Sequence, residues 1–219
     1  MSRLMSLSRT SDIAWIVPAH DEAPTVAAIV RAIAAARLGP VLVVADRCRD
    51  ATGAEAQRAG AHVLTADAGD KGTAMHLGLA HSASERVGFI DADLIGLRPD
   101  HLHRLASIPD AMVVGLATWR IPGFPSIAGQ RVLPRELAQA ADLAGAGYRA
   151  EMELAAVARF RRVPIIEIPL PGLHHPTTIR PQRDICRWSD VWAGHRIYRR
   201  TAALSRRPPD RRPPYSAVP

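Results

Sequence analysis

Val87-Gly88-Phe89-Ile90-Asp91-Ala92-Asp93-Leu94 is a short apolar run that closes on two carboxylates one residue apart. Side chains of an extended chain alternate with period two, so Asp91 and Asp93 fall on one side, where both can reach a single divalent cation. Hard oxygen ligands suit Mg2+ or Mn2+, ions that bridge to a diphosphate. The competing reading of the pair is an exposed acidic turn. A second chemical signal is Lys71, the one lysine of the chain, in Gly69-Asp70-Lys71-Gly72. A compact positive charge at a Gly-rich helix start, where backbone N–H groups also point outward, fits a phosphate or sugar contact. Its plain alternative is a solvated loop cation.

The surrounding elements decide whether these groups can meet. Residues 13–17 read as a buried strand stopped by Pro18. Asp21-Glu22-Ala23-Pro24-Thr25 then reads as the opening turn of a helix carrying Val26, Ile29, Val30 and Ile33 at helical spacing. Residues 41–44 form a continuous β-branched strand of the kind buried on both faces. A helix over 50–58, a short strand at 63–64, a helix through 71–80 and the strand ending at Asp91 follow. Such alternation implies an α/β fold with a mostly parallel central sheet flanked by helices. Ligands of such sheets gather beyond the strand ends, here residues 18–22, 45–50 and 91–93. Later elements are a strand at 112–116, a Gly/Pro-rich loop at 121–129, helices near 134–143 and 148–161, and a strand at 164–169 whose prolines suit a sheet edge.

With 219 residues, 47% apolar and 22% charged, the chain has the make-up of one ordinary globular domain. No apolar stretch approaches the roughly 20 residues that span a bilayer. The N-terminal Met1-Ser2-Arg3-Leu4-Met5 lacks an apolar signal core, which implies no export. Cys48 and Cys186 are the only cysteines and suggest neither a disulfide framework nor a metal knuckle, as expected of a reducing cytoplasm. The net charge of +7 lies wholly beyond residue 179, where ten arginines face three aspartates. That placement argues against a nucleic-acid-binding core and for a basic appendage.

The expected organisation is a flexible N-terminus (1–11), a catalytic domain (12–179), an amphipathic C-terminal helix (180–204) and a disordered Arg/Pro-rich tail (205–219). In that helix Ile185, Trp188, Val191, Trp192, Tyr198 and Ala202 form one stripe, with Arg187, Arg196, Arg199 and Arg200 elsewhere. Two readings stand open: the stripe packs on the domain, or the tryptophans and arginines meet a membrane as a peripheral contact at its inner face. Oligomeric state is not legible.

Six motifs in order resemble the family 2 glycosyltransferases of GT-A fold. Pro18-Ala19-His20-Asp21-Glu22 is similar to Pro-Ala-x-Asn-Glu-Glu, residues 43–52 to "VVDDGSTDxT", and Gly69-Asp70-Lys71-Gly72-Thr73-Ala74-Met75 to "GKGxAL". Phe89-Ile90-Asp91-Ala92-Asp93-Leu94 is similar to "FLDADL", residues 128–136 resemble "SGFRALRRE", and residues 147–154 resemble "GYGxExEL". The resemblance implies a metal-dependent transfer of a sugar from a UDP- or GDP-sugar to an acceptor that the sequence does not identify. It places Pro18, Ala19, His20, Glu22 and Asp46 around the nucleoside, with Lys71, Asp91 and Ala92 at the rest of the donor. Asp91 and Asp93 would hold Mg2+ or Mn2+, neutralising charge on the leaving diphosphate and making Asp93 catalytic.

Three departures qualify this match: Ala45 replaces the first acid after the second strand, Asp70 replaces the first glycine of "GKG", and Ile95 stands where polyprenyl-phosphate sugar synthases carry a metal-binding glutamine. A third ligand must then come from elsewhere, and His174-His175 after the late strand is the candidate, with His175 preferred. Glu151 and Glu153, two apart on a helix, face different ways; Glu151 is the preferred general base. Arg120 and Arg131 would grip a phosphate on the acceptor. Polyprenyl-phosphate sugar synthases suggest a lipid-linked acceptor, glucosyl-3-phosphoglycerate synthases a small anionic one. The rival readings are a sugar-nucleotide pyrophosphorylase, whose Gly-rich Arg-containing loop after the first strand is missing here, and a silent nucleotide-binding scaffold, against which Asp91, Asp93 and Glu151 speak.

Overall fold

The structure is a computed structural model that describes residues 13–117, 126–176, 190 and 192–201. The elements run β1 (Ile13–Ala19), α1 (Val26–Ala36), β2 (Val41–Asp46), α2 (Thr52–Arg58), β3 (His62–Ala66), α3 (Lys71–Ala80), β4 (Arg86–Phe89) and α4 (Pro99–Ala106). They continue with β5 (Met112–Leu116), β6 (Arg131–Pro134), α5 (Arg135–Gln139), a 3-10 turn (Gly147–Arg149), α6 (Ala150–Phe160) and β7 (Ile165–Pro169). Seven strands form one sheet in the order β3-β2-β1-β4-β6-β5-β7. Among the described strands only β6 runs against its neighbours, antiparallel to both β4 and β5.

The mostly parallel sheet explains the continuous apolar runs. β1 and β2 are covered on both faces, so Trp15, Ile16, Val17, Val43 and Val44 are all fully buried. One core lies between the sheet and α1, α2 and α4, with Ile29, Ile33, Leu102 and Leu105 facing Trp15, Val43 and Val113. The other lies under α3, α5 and α6, with Met75, Leu79, Leu137 and Leu154 facing Ile16, Val44 and Leu133. Such double coverage leaves the ends of the strands, rather than the faces of the sheet, for ligands.

Two elements have no sequence forecast. α4 is short, and β6 is a four-residue strand that runs straight into α5, so neither shows enough periodicity to be read. Residues 23–25 form a turn before α1 instead of its first helical turn, because Asp21 takes a positive φ of 53° and the Glu22 carbonyl accepts from Thr25 and Val26. The late strand β7 does sit at the sheet edge, beside β5.

Residues 192–201 are helical and lie against α6. Gly194 meets Met152, Tyr198 packs on the second core, and Arg159 donates to the Tyr198 hydroxyl over 2.8 Å. The opposite face carries Trp192, 57% exposed, together with the exposed Arg196, Arg199 and Arg200. Trp192 thus shares the arginine face, whereas the sequence stripe grouped it with Tyr198; the small Gly194 is what lets the helix approach from its other side. Trp188, most of the stripe, the N-terminal segment 1–11 and the tail 205–219 lie outside the described residues. No described helix is long and apolar enough to cross a membrane.

Candidate functional site

The loops after β1 and β2 are joined to each other by hydrogen bonds between side chains and backbone. His20 Nδ1 lies 2.8 Å from the Asp46 carbonyl, and the Glu22 N–H donates to Thr52 Oγ1 at 2.8 Å. The Ala23 N–H donates to Asp50 at 3.0 Å and the Arg49 N–H to Asp21 at 2.7 Å, while the Cys48 thiol reaches the Ala19 carbonyl. Burial pushes that thiol's pKa up, so Cys48 stays a neutral donor. Pro18, Ala19, His20 and Glu22 therefore occupy a braced rim at the end of the sheet.

Asp46, buried at the end of β2, accepts three backbone N–H groups: Ala68 at 2.7 Å, Gly69 at 3.1 Å and Asp70 at 2.9 Å. The sequence reading set this carboxylate against the base or ribose, but the structure directs it into the loop that leads to Lys71. Asp70, in turn, caps α3 by accepting from Thr73 at 2.7 Å and ties in Gly147 at 2.9 Å. An acid preceding a helix start is a capping signal, and it accounts for the departure from "GKG".

At the end of β4 the groups are charged. Lys71 Nζ lies 2.7 Å from Asp91 Oδ1 and 2.6 Å from Glu151 Oε1, with the Tyr148 ring 5.9 Å away. Burial alone would lower the lysine pKa, but the attraction of the two carboxylates outweighs it, and the ammonium is held well above its ordinary value. Lys71 is thus a permanent cation shared between two acids from different elements. Gly129 lies so close to Asp91 that a Cβ there would overlap its carboxylate, which explains the small residue before Gln130.

Arg131 departs from its expected place. It is 0% exposed, and its guanidinium donates to the Glu151 carbonyl at 3.1 Å and to the Ala128 carbonyl. Burial lowers its pKa, partly offset by Glu151 and Asp91. In this arrangement it braces the start of α6 from beneath and does not face an acceptor, because β6 points its side chain into the space under α6. Arg120 lies outside the described residues.

Asp91, Asp93 and His175 offer ligand atoms that all lie within 4.8 Å of one another, and His175 Nδ1 is 3.1 Å from Asp93 Oδ1. The side chains of Asp93 and His175 are 32% and 31% exposed, that of Asp91 14%, so the group opens to solvent on one side. His174 is turned away toward its own Gly172 carbonyl, while its backbone pairs with Ile95. Two carboxylates and an imidazole with an open side fit Mg2+ or Mn2+ with positions left for a diphosphate. Asp21, Cys48 and Asp50 form a similar cluster, but both carboxylates there already accept hydrogen bonds from the loops they brace. Glu153 lies off the site, 3.9 Å from Arg149, with its pKa raised by burial.

The family model described as "Glycosyl transferase family 2" matches residues 14–128. The fold is similar to that of glucosyl-3-phosphoglycerate synthase from Mycobacterium tuberculosis, with a TM-score of 0.71 at 20% identity over 85% of this chain and 81% of that one. The same enzyme in complex with Mn2+, UDP-glucose and phosphoglyceric acid gives 0.73 at 21% identity, over 88% and 80%. Its complex with Mg2+ and UDP gives 0.71 at 20% identity, over 85% and 80%. No curated protein matches the sequence. At these identities the structures establish a shared GT-A fold.

Proposed function

The chain belongs to glycosyl transferase family 2, and from that premise we propose that it transfers a sugar from a nucleoside diphosphate sugar, with Mg2+ or Mn2+ held by Asp91, Asp93 and His175. The observation that carries this reading is the convergence of those three side chains beside Lys71 at the end of β4. When bound, the cation would neutralise the charge that grows on the diphosphate as it leaves. Lys71, kept protonated by its two carboxylates, supplies a second positive charge toward the same phosphates. The braced loops carrying Pro18, Ala19, His20 and Glu22 form the nucleoside rim, with Asp46 fixing the segment before Lys71 and Ala92 between the two metal carboxylates. Glu151, 2.6 Å from Lys71, is the group suited to take a proton from an acceptor hydroxyl; a phosphate acceptor would need no such step.

A uridine donor is favoured because the structural relatives were crystallised with UDP or UDP-glucose. An anionic acceptor is favoured because one of them holds phosphoglyceric acid and another glycerol 3-phosphate. The experiment titrates UDP, GDP and their sugars into the chain with and without Mn2+ and follows the melting temperature. Stabilisation by a metal–nucleotide pair is expected, lost in Asp93→Ala and kept in Glu153→Ala. No stabilisation by any pair would sink the proposal.

Peripheral contact with an anionic membrane is a second reading, favoured by the face that sets the exposed Trp192 among Arg196, Arg199 and Arg200. A blue shift of tryptophan fluorescence with phosphatidylserine vesicles, lost when the three arginines become glutamine, supports it. Equal behaviour with purely zwitterionic vesicles rejects it.

A further inference from the structure

Ile95 lies two residues after Asp93, and its backbone joins that turn to the segment carrying His175. The Ile95 N–H donates to the His174 carbonyl at 2.9 Å and the His174 N–H donates to the Ile95 carbonyl at 3.1 Å. This isolated antiparallel bridge is the point where the chain after β7 touches the turn after Asp93. Around it the two turns approach as closely as backbone allows. Gly96, at φ +82°, lies so near Gly172 that a Cβ would overlap its carbonyl oxygen, and Gly172, also at φ +82°, rests against the Arg98 guanidinium. Arg98 Nη2 donates to the Pro171 carbonyl at 3.0 Å. Leu94 on one turn and Leu170 and Leu173 on the other are buried in the same core. Arg98 is also the residue preceding α4, with Pro99 in the first turn, so the helix fixes where its side chain begins.

We propose that the Ile95–His174 bridge, closed by Gly96 and by the Arg98–Pro171 hydrogen bond, is a clasp that positions His175 for the cation, which makes Arg98 and Gly96 positioning residues. The inference rests on the metal site proposed above. Its physical content is that His175 comes from a segment some 80 residues from Asp93 in sequence, and that this segment is held beside the turn by backbone pairing. Orienting contacts behind a ligand commonly set its metal affinity as strongly as this arrangement requires.

The test measures Mn2+ affinity of the full chain with UDP present, from the electron paramagnetic resonance of free Mn2+, together with metal-free UDP affinity and the melting temperature. Gly96→Ala should weaken Mn2+ binding about ten- to hundredfold and Arg98→Ala roughly fivefold, with metal-free UDP affinity unchanged. Arg98→Lys, which keeps a donor, should recover most of the loss. The Arg98 pair carries the test if Gly96→Ala fails to fold. Should Asp93→Ala lose Mn2+ while Gly96→Ala and Arg98→Ala bind it as the unaltered chain does, the clasp is overturned and the metal site stands. If the unaltered chain shows no Mn2+-dependent UDP binding, the proposed function fails and the clasp with it.

Discussion

The two ends of the candidate donor site are held together in different ways. Beyond β1 and β2, carboxylates accept backbone N–H groups: Asp46 holds residues 68–70, Asp50 holds Ala23 and Thr52, and Asp21 holds Arg49. Beyond β4, charge meets charge: Lys71 stands between Asp91 and Glu151, and His175 sits beside Asp93. At the first end the acids already accept hydrogen bonds from the loops they brace. The second contains an open carboxylate–imidazole group whose remaining coordination a cation and a diphosphate can fill.

Breaking the charged end should have the largest effect. Lys71→Ala leaves Glu151 buried without its cation and should cost about 3 kcal/mol of stability, read as a lower melting temperature, and abolish donor binding. Lys71→Met with Glu151→Leu should recover much of that stability while transfer stays lost, which separates the structural role of the pair from its chemical one. The pH dependence has a defined sign. A lysine whose pKa is raised on folding stabilises fully below the ordinary lysine value and loses this only as pH climbs through the raised one, so the unaltered chain should keep this contribution at neutral pH.

Next in size, His175→Ala should weaken Mn2+ binding roughly ten- to hundredfold, with little change in melting temperature because the ring is partly exposed. His174→Ala should leave Mn2+ affinity as it was, since its ring lies away from Asp93. Equal effects of the two would remove the distinction on which the site is drawn. At the braced end, Asp46→Asn should cost about 1–3 kcal/mol, because an amide NH2 would face one of the N–H donors the carboxylate now satisfies. Donor affinity should fall with it, while the Mn2+ dependence keeps its form; loss of that dependence would mean that the two ends are not separable.

The smallest effect belongs to Glu153. Burial raises its pKa, so the folded chain holds its proton more tightly than the unfolded chain does, and stability declines as pH rises from the ordinary glutamate value through the raised one. Glu153→Gln should flatten that part of the stability curve, measured by melting at pH 4 to 7, and leave metal binding untouched.

Much of the β1–β4 half was legible from sequence, because strands buried on both faces must be apolar throughout and helices on one face must show their period. β6 and α4 were not, being too short to carry a period, and β6 derives its direction from lying between β4 and β5. The backbone contacts of Asp46 and Arg131 were not legible for a related reason. Residue type showed that each binds something polar, but whether that partner is a ligand or the chain's own backbone depends on which segment folds over it. Trp192 joined the arginine face because Gly194 and Tyr198 took the inner one.

The sequence by itself determined the pattern: an α/β sheet with acids beyond its strands, one lysine at a Gly-rich helix start, and a late histidine pair. Only the tertiary structure decided which of those groups meet. Lys71 shares its charge between Asp91 and Glu151, Asp46 turns inward, and His175 rather than His174 reaches Asp93, because the Ile95–His174 bridge fixes which side of that segment faces the site. The physical reason is range: spacing along a chain orders neighbours, whereas contacts between residues 71, 91, 151 and 175 exist only once the sheet has brought its strand ends to one edge.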